Sequence, residues 1–102
     1  MTLIGVIGDH HFEEGPRFDE CRRVHDWIAD DMGARGVTIV VSTGDMFEKA
    51  STRRERIAVA DWLRKIGEYA KVVLIRGNHD HLGELALFGR IRTRCGVYVV
   101  EG

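Results

Sequence analysis

Three short apolar runs, each closed by a glycine and then by a metal-ligating type of side chain, constrain this chain more than any other feature. Thr2-Leu-Ile-Gly-Val-Ile-Gly8 leads into Asp9-His10-His11. Val37-Thr-Ile-Val-Val-Ser-Thr-Gly44 leads into Asp45. Lys71-Val-Val-Leu-Ile-Arg-Gly77 leads into Asn78-His79-Asp80. Each run has the length and β-branched content of a strand, and each is apolar at odd and even positions alike. Strands of that kind are buried on both faces, as in parallel sheets. The polar sets follow the carboxyl ends of the runs, where open α/β sheets hold their ligands.

The segments between the runs read as helices. The first is predicted over about Pro16 to Arg35, with proline at its first position and Asp19 and Glu20 at the positive end of its dipole. Its apolar stripe is Phe18, Cys21, Val24, Ile28 and Met32, and Gly33 and Gly36 are positioned to end it. The second starts near Thr52, which forms a capping box with Glu55. Ile57, Val59, Ala60, Trp62, Leu63 and Ile66 give it a broad apolar face. A shorter helix is expected between Leu82 and Arg90. Strands are expected over about 2–7, 37–42, 71–76 and Val97 to Val100, with a polar loop over 10–15. The fold class is therefore α/β, a β-α-β-α-β-α-β chain with a parallel sheet and right-handed crossovers. Three helices cannot cover both faces of such a sheet, so something else must cover the second.

The totals narrow the function classes. With 102 residues the chain is one small domain. A net charge of −1 supplies no global attraction to nucleic acid or to a membrane surface. Charge is uneven: eight acids and three arginines in residues 1–31, nine bases and five acids in residues 35–76. This is the ordinary pattern of a solvated surface. Cys21 and Cys95 are far apart and read as free thiols of a reducing compartment. No segment has the features of a secretory leader, and no apolar run approaches the ~20 residues that span a bilayer. A soluble, cytoplasmic protein is the expectation.

Carboxylates are hard oxygen ligands, and imidazole suits zinc, manganese or iron. In an extended Asp-x-His, Asp9 and His11 point to one side and His10 to the other. Asp45, at a neighbouring strand end, is suited to bridge two ions, and Asn78 offers an amide oxygen. Two ions about 3.5–4 Å apart would clamp a phosphoryl group and generate a hydroxide nucleophile. His79 is expected to face substrate, stabilising phosphoryl oxygens or protonating a leaving oxygen, with Asp80 orienting its ring. The metal set is then Asp9, His11, Asp45 and Asn78, and the catalytic pair His79 and Asp80. His10 and His25 are expected to be exposed, and His81 is left undecided. Trp27, Trp62 and Met32 are expected in the core.

Gly8-Asp9-His10-His11, Gly44-Asp45-Met46-Phe47-Glu48 and Gly77-Asn78-His79-Asp80 resemble the first three motifs of the calcineurin-like metallophosphoesterase superfamily. The resemblance spans Asp9 to Asp80. Gly-Asp-Met-Phe-Glu, with a helix and strand after Gly-Asn-His-Asp, resembles the DNA-nuclease branch, the catalytic subunit of bacterial SbcCD-type complexes. It implies that Asp9 and His11 bind one metal, Asp45 bridges, Asn78 binds the second, and His79 serves catalysis. The cofactors implied are two divalent ions (Mn, Fe or Zn), and the substrate is DNA or another phosphodiester.

Members of that superfamily continue with a second sheet and two further motifs, a lone histidine and Gly-His-x-His. No histidine follows His81 here. The resemblance therefore implies that residues 1–102 are the N-terminal half of a metallophosphoesterase domain, half of a four-layer α-β-β-α sandwich. Such a chain is a piece of a longer protein, a truncated product or one part of a split protein, and incomplete or inactive alone. Alone it would hold partial metal or none. Two alternatives stand beside the nuclease reading: a non-catalytic half-domain that assembles with itself or a partner supplying the second sheet, and a phosphatase or small-molecule phosphodiesterase on the same scaffold.

Overall fold

A computed structural model describes residues 2–8, 10, 12–13, 15–44, 46–47, 51–76 and 85–100. Four strands, β1 (Ile4–Ile7), β2 (Ile39–Ser42), β3 (Lys71–Ile75) and β4 (Val97–Val100), alternate with helices α1 (Phe18–Ala34) and α2 (Arg53–Gly67) and a 3-10 helix (Leu85–Arg90). The strands form one parallel sheet in the order β1-β2-β3-β4. The α/β class and every expected strand are present. α1 starts at Phe18 instead of Pro16 because Gly15 and Pro16 form a turn that hands the Phe18 amide to the Gly15 carbonyl at 3.1 Å. The expected third helix has only a 3-10 portion among the described residues, and its start at Leu82 lies outside them.

Sheet order explains why one face is left bare. Each strand is added on the same side of its predecessor, with no reversal. Right-handed crossovers then place all the connecting helices on the same face. Gly5, Val40, Val72 and Val97 form one inward row, and Ile7, Ser42, Leu74 and Val99 the next. Against them pack Phe18, Ala29 and Met32 from α1 and Ala58, Val59, Trp62, Leu63 and Ile66 from α2. The opposite face carries Ile4, Val6, Val41, Val73, Ile75, Tyr98 and Val100. There Val6 is 68% exposed, Ile4 58%, Tyr98 52% and Val100 48%. The expected burial of both strand faces is therefore not met by the described residues, and apolar side chains stand in water where a covering layer was required.

Both helices follow from local chemistry, with a shift in register. Thr52 Oγ1 accepts from the Glu55 amide at 3.2 Å, and Glu55 returns a carboxylate to the Thr52 amide at 2.9 Å, completing the expected capping box. Ile57, assigned to the apolar face, is 49% exposed, and Ala58 is buried instead. On α1 the inward stripe is Phe18, Cys21, His25, Ala29 and Met32, so Val24 is outside at 50% exposure. Trp62 and Met32 are in the core as expected. Trp27, expected there too, is 66% exposed because it lies on the far side of α1 from the sheet. Gly36, at φ 77°, ends α1 in the left-handed conformation glycine tolerates.

Candidate metal-binding edge of the sheet

The carboxyl ends of the first three strands are aligned. Ile7, Ser42 and Leu74 are register partners across β1, β2 and β3. The three motifs follow these adjacent strand ends in the sequence. Asp9, His11, Asp45, Asn78, His79, Asp80 and His81 themselves lie outside the described residues. What the structure defines is the frame that carries them. No reversal of strand order occurs within this sheet, so the edge is not a switch point of the doubly wound type.

Two motif glycines have specific reasons. A Cβ on Gly8 would come 2.4 Å from Thr43 Oγ1, so a larger residue would force the Thr43 side chain to shift. Gly44 has φ 109°, a backbone conformation that disfavours any side chain immediately before Asp45. The Thr43 amide donates to the Ile7 carbonyl at 2.9 Å. Further along, the two segments meet again. The Phe12 amide donates to the Met46 carbonyl at 2.8 Å, and Phe12 and Phe47 form an isolated parallel bridge. Phe12, Met46 and Phe47 are all buried. Backbone pairing thus joins the two segments before positions 9 and 45 and again after them.

His10 and His25, expected to be exposed, are both buried, at 5% each. His10 Nδ1 lies 3.0 Å from His25 Nε2, and His10 Nε2 lies 2.6 Å from Ser42 Oγ. His25 Nδ1 is 2.9 Å from the Cys21 carbonyl oxygen. Trp62 donates its indole N–H to the His25 carbonyl at 2.8 Å and sets its ring edge-on to both imidazoles. Phe12 covers the His25 ring with centroids 4.2 Å apart. Paired imidazoles can be buried because their polar atoms are satisfied. The signal in the sequence was periodicity: His25 falls between Cys21 and Ala29 on the inward stripe of α1, and Ser42 alternates with Val40 on the inward row of β2.

The electrostatics of this cluster favour neutral groups. Burial pushes the His25 imidazole below its ordinary value, against smaller raising effects of the Cys21 carbonyl and Asp26. Burial pushes the Cys21 thiol up, with Glu20 adding to the effect, so it is not an activated thiolate. Cys21 and Cys95 are free thiols, as expected. Among the described residues no group of three or more His, Cys, Asp or Glu side chains is arranged to hold a metal ion. Two arginines at the start of α2, Arg54 and Arg56, have partners within the chain. Arg56 Nη1 donates to the Ser51 carbonyl at 2.7 Å, and the Arg54 guanidinium stacks 4.6 Å from the centre of the Phe18 ring. No described helix is long and apolar enough to cross a membrane.

Comparison with known proteins bears on what such an edge belongs to. No curated protein sequence matches the chain significantly. Among solved structures, the crystal structure of Pseudomonas putida nuclease MPE has a similar fold, with a TM-score of 0.60 and 24% sequence identity. The match covers 93% of this chain and 46% of that one, so this chain spans about half the length of its structural neighbour. At that identity the likeness establishes the fold, a parallel α/β sheet shared with a nuclease. The family model for calcineurin-like phosphoesterase matches residues 2–100, and the chain therefore belongs to the calcineurin-like phosphoesterase family.

Proposed function

We propose that this chain contributes the N-terminal, metal-binding half of a metal-dependent phosphodiesterase that cleaves nucleic acid, DNA in the first instance. The observation that carries the reading is that the three strands leading into the motifs end side by side in one sheet, in a chain whose family-model match includes all three motifs. The nuclease among its structural neighbours supports nucleic acid over a small phosphomonoester. Gly44-Asp45-Met46-Phe47-Glu48 supports the DNA-nuclease branch within the family.

The donor chemistry suits two divalent ions. Asp9 and His11 would hold one, Asn78 the other, and Asp45 both, a set of hard oxygens and imidazole that fits Mn, Fe or Zn. When bound, the pair supplies charge neutralisation and a low-pKa water for attack on phosphorus. Two carboxylates against four positive charges leave the set incomplete, so further ligands must come from outside these residues. His79 would meet the phosphoryl oxygens or the leaving oxygen, with Asp80 holding its ring. A free-thiol protein with this chemistry fits the cytoplasm.

A second reading has its own observation. The bare apolar face of the sheet favours a layer supplied by another segment, a partner chain or a second copy. In that reading the chain is first an assembly module, and its metal edge is completed only in the assembly.

The roles are separable by substitution in the catalytically competent assembly. His79→Ala should lower turnover of a bis-nitrophenyl phosphodiester or of DNA far more than it lowers metal content. Asp45→Ala should lose both together. Equal metal loss in the two variants would reject the assignment. Calorimetry that found two tight metal sites on the 102-residue chain alone would reject the incomplete-set reading.

A further inference from the structure

We infer that His10 is a positioning residue: the chain Ser42–His10–His25–Cys21 anchors the segment that presents Asp9 and His11. The inference rests on the phosphoesterase reading only for what those two neighbours do. The anchoring stands on the geometry alone. His10 is the middle residue of Asp-x-His, so fixing its Cα holds each neighbour within one 3.8 Å step of a defined point. His10 is 95% buried, with both ring nitrogens in hydrogen-bond contact, one toward β2 and one toward α1.

The direction of the chain follows from its last member. The Cys21 carbonyl only accepts, so His25 Nδ1 carries the hydrogen. A neutral His25 then accepts at Nε2, which obliges His10 to donate from Nδ1. His10 Nε2 is left as an acceptor and takes the Ser42 hydroxyl hydrogen. One arrangement satisfies all three contacts, and each ring is locked by a partner on a different element. The Phe12 amide pairs with Met46 two residues further on, so the anchor and the second backbone clamp bracket His11. A histidine that merely filled core volume would have no need of this donor order, nor of a serine on the inward row of a strand otherwise lined by valine and leucine neighbours.

The experiment uses the 102-residue chain. Imidazole nitrogen spectra of the unaltered protein at neutral pH should show both His10 and His25 as the Nδ1–H tautomer. Either ring as Nε2–H overturns the directional chain. Ser42→Ala removes the hydroxyl and little volume, and Val40→Ala, one inward position earlier on the same strand, serves as the control for general core damage. Compared at equal global stability, Ser42→Ala should speed exchange of the Phe12 amide about tenfold more than Val40→Ala, the scale of one lost hydrogen bond. Equal exchange in the two variants overturns the positioning role. Manganese titration then addresses the metal. Affinity should fall about tenfold in Ser42→Ala and not in Val40→Ala, the scale seen when supports behind metal ligands are removed. Altered exchange with unaltered manganese affinity overturns the link from His10 to the ligand pair. Where the unaltered chain alone binds no manganese, as its incomplete donor set allows, the same comparison in the catalytically competent assembly decides the link from His10 to the ligand pair.

Discussion

Val6→Lys tests what the bare sheet face is for. Val6 is 68% exposed in the isolated chain. Full burial of a valine contributes roughly 1.5–2 kcal/mol, so covering this one would add roughly 1 kcal/mol. Ile4, Tyr98 and Val100, each about half exposed, add similar amounts. The four together give about 4 kcal/mol per face, or about 8 kcal/mol when two such faces meet. Association itself costs about 4–15 kcal/mol. At the lowest association cost the balance is about −4 kcal/mol, so self-pairing through these residues alone has a dissociation constant of about 1 mM at best. Val6→Lys in a symmetric pair removes about 2 kcal/mol and sets charge against an apolar surface. The dimer dissociation constant should rise at least about thirtyfold. The fold of the single chain should change by less than about 0.5 kcal/mol, because the side chain already stands in water. Sedimentation equilibrium and urea melts on the same samples measure the two effects separately. A wild-type chain that stays a compact monomer at about 1 mM refutes self-association through this face. A loss above about 2 kcal/mol in the dilute Val6→Lys monomer refutes the bare face itself, because part of the same chain must then lie over Val6.

Three further outcomes are expected. Stability should be level above about pH 6.5 and fall as pH drops through that value and then through the lower native pKa of His25, since the unfolded chain takes up this proton first; His25→Phe should flatten that fall in urea melts recorded from pH 7.5 to 4.5, and an unchanged slope would remove His25 as its source. Trp62→Phe deletes the indole hydrogen bond to the His25 carbonyl and opens a small void at a site 2% exposed, so chemical denaturation should show a loss of about 2–3 kcal/mol. Gly67→Ala, a favourable exchange in most helices, should cost about 1–3 kcal/mol, because the new Cβ would sit 2.3 Å from Thr93 Cβ; a gain in melting temperature would show that this end of α2 yields.

Strand positions were legible because they rest on the strongest local signal, short apolar runs bounded by glycine. Val40, Val72, Leu74 and Val97 are inside, in register, as a parallel sheet demands. The capping box at Thr52 and Glu55 was legible for the same reason, since two side chains three residues apart satisfy each other's backbone. Helix faces were less so. Val24 and Ile57 were placed inward by apolarity, yet His25 and Ala58 hold those orientations. A residue-by-residue count of hydrophobicity cannot see that a histidine with two partners is cheaper to bury than it looks. Trp27 failed in the opposite sense: a large aromatic side chain reads as core, but single exposed apolar groups are common on protein surfaces. Of the site, the sequence carries the ligand types and their spacing, and the structure supplies the frame of Gly8, Thr43, Gly44 and the Phe12–Met46 pairing that aims them.

The winding of the sheet links the bare face to the chemistry at its edge. Because strands are added in one direction only, every crossover helix falls on the same face, and the same order sets the ends of β1, β2 and β3 side by side. The sequential winding that sets the ends of β1, β2 and β3 side by side also leaves Ile4, Val6, Tyr98 and Val100 exposed. On the proposed function, the donor set is short of negative charge as the sheet is short of a covering layer. A single added layer would supply both, by packing on the open face and reaching over the same edge with further ligands. On this argument, substitutions that block the face should weaken metal binding in the assembly without touching a ligand.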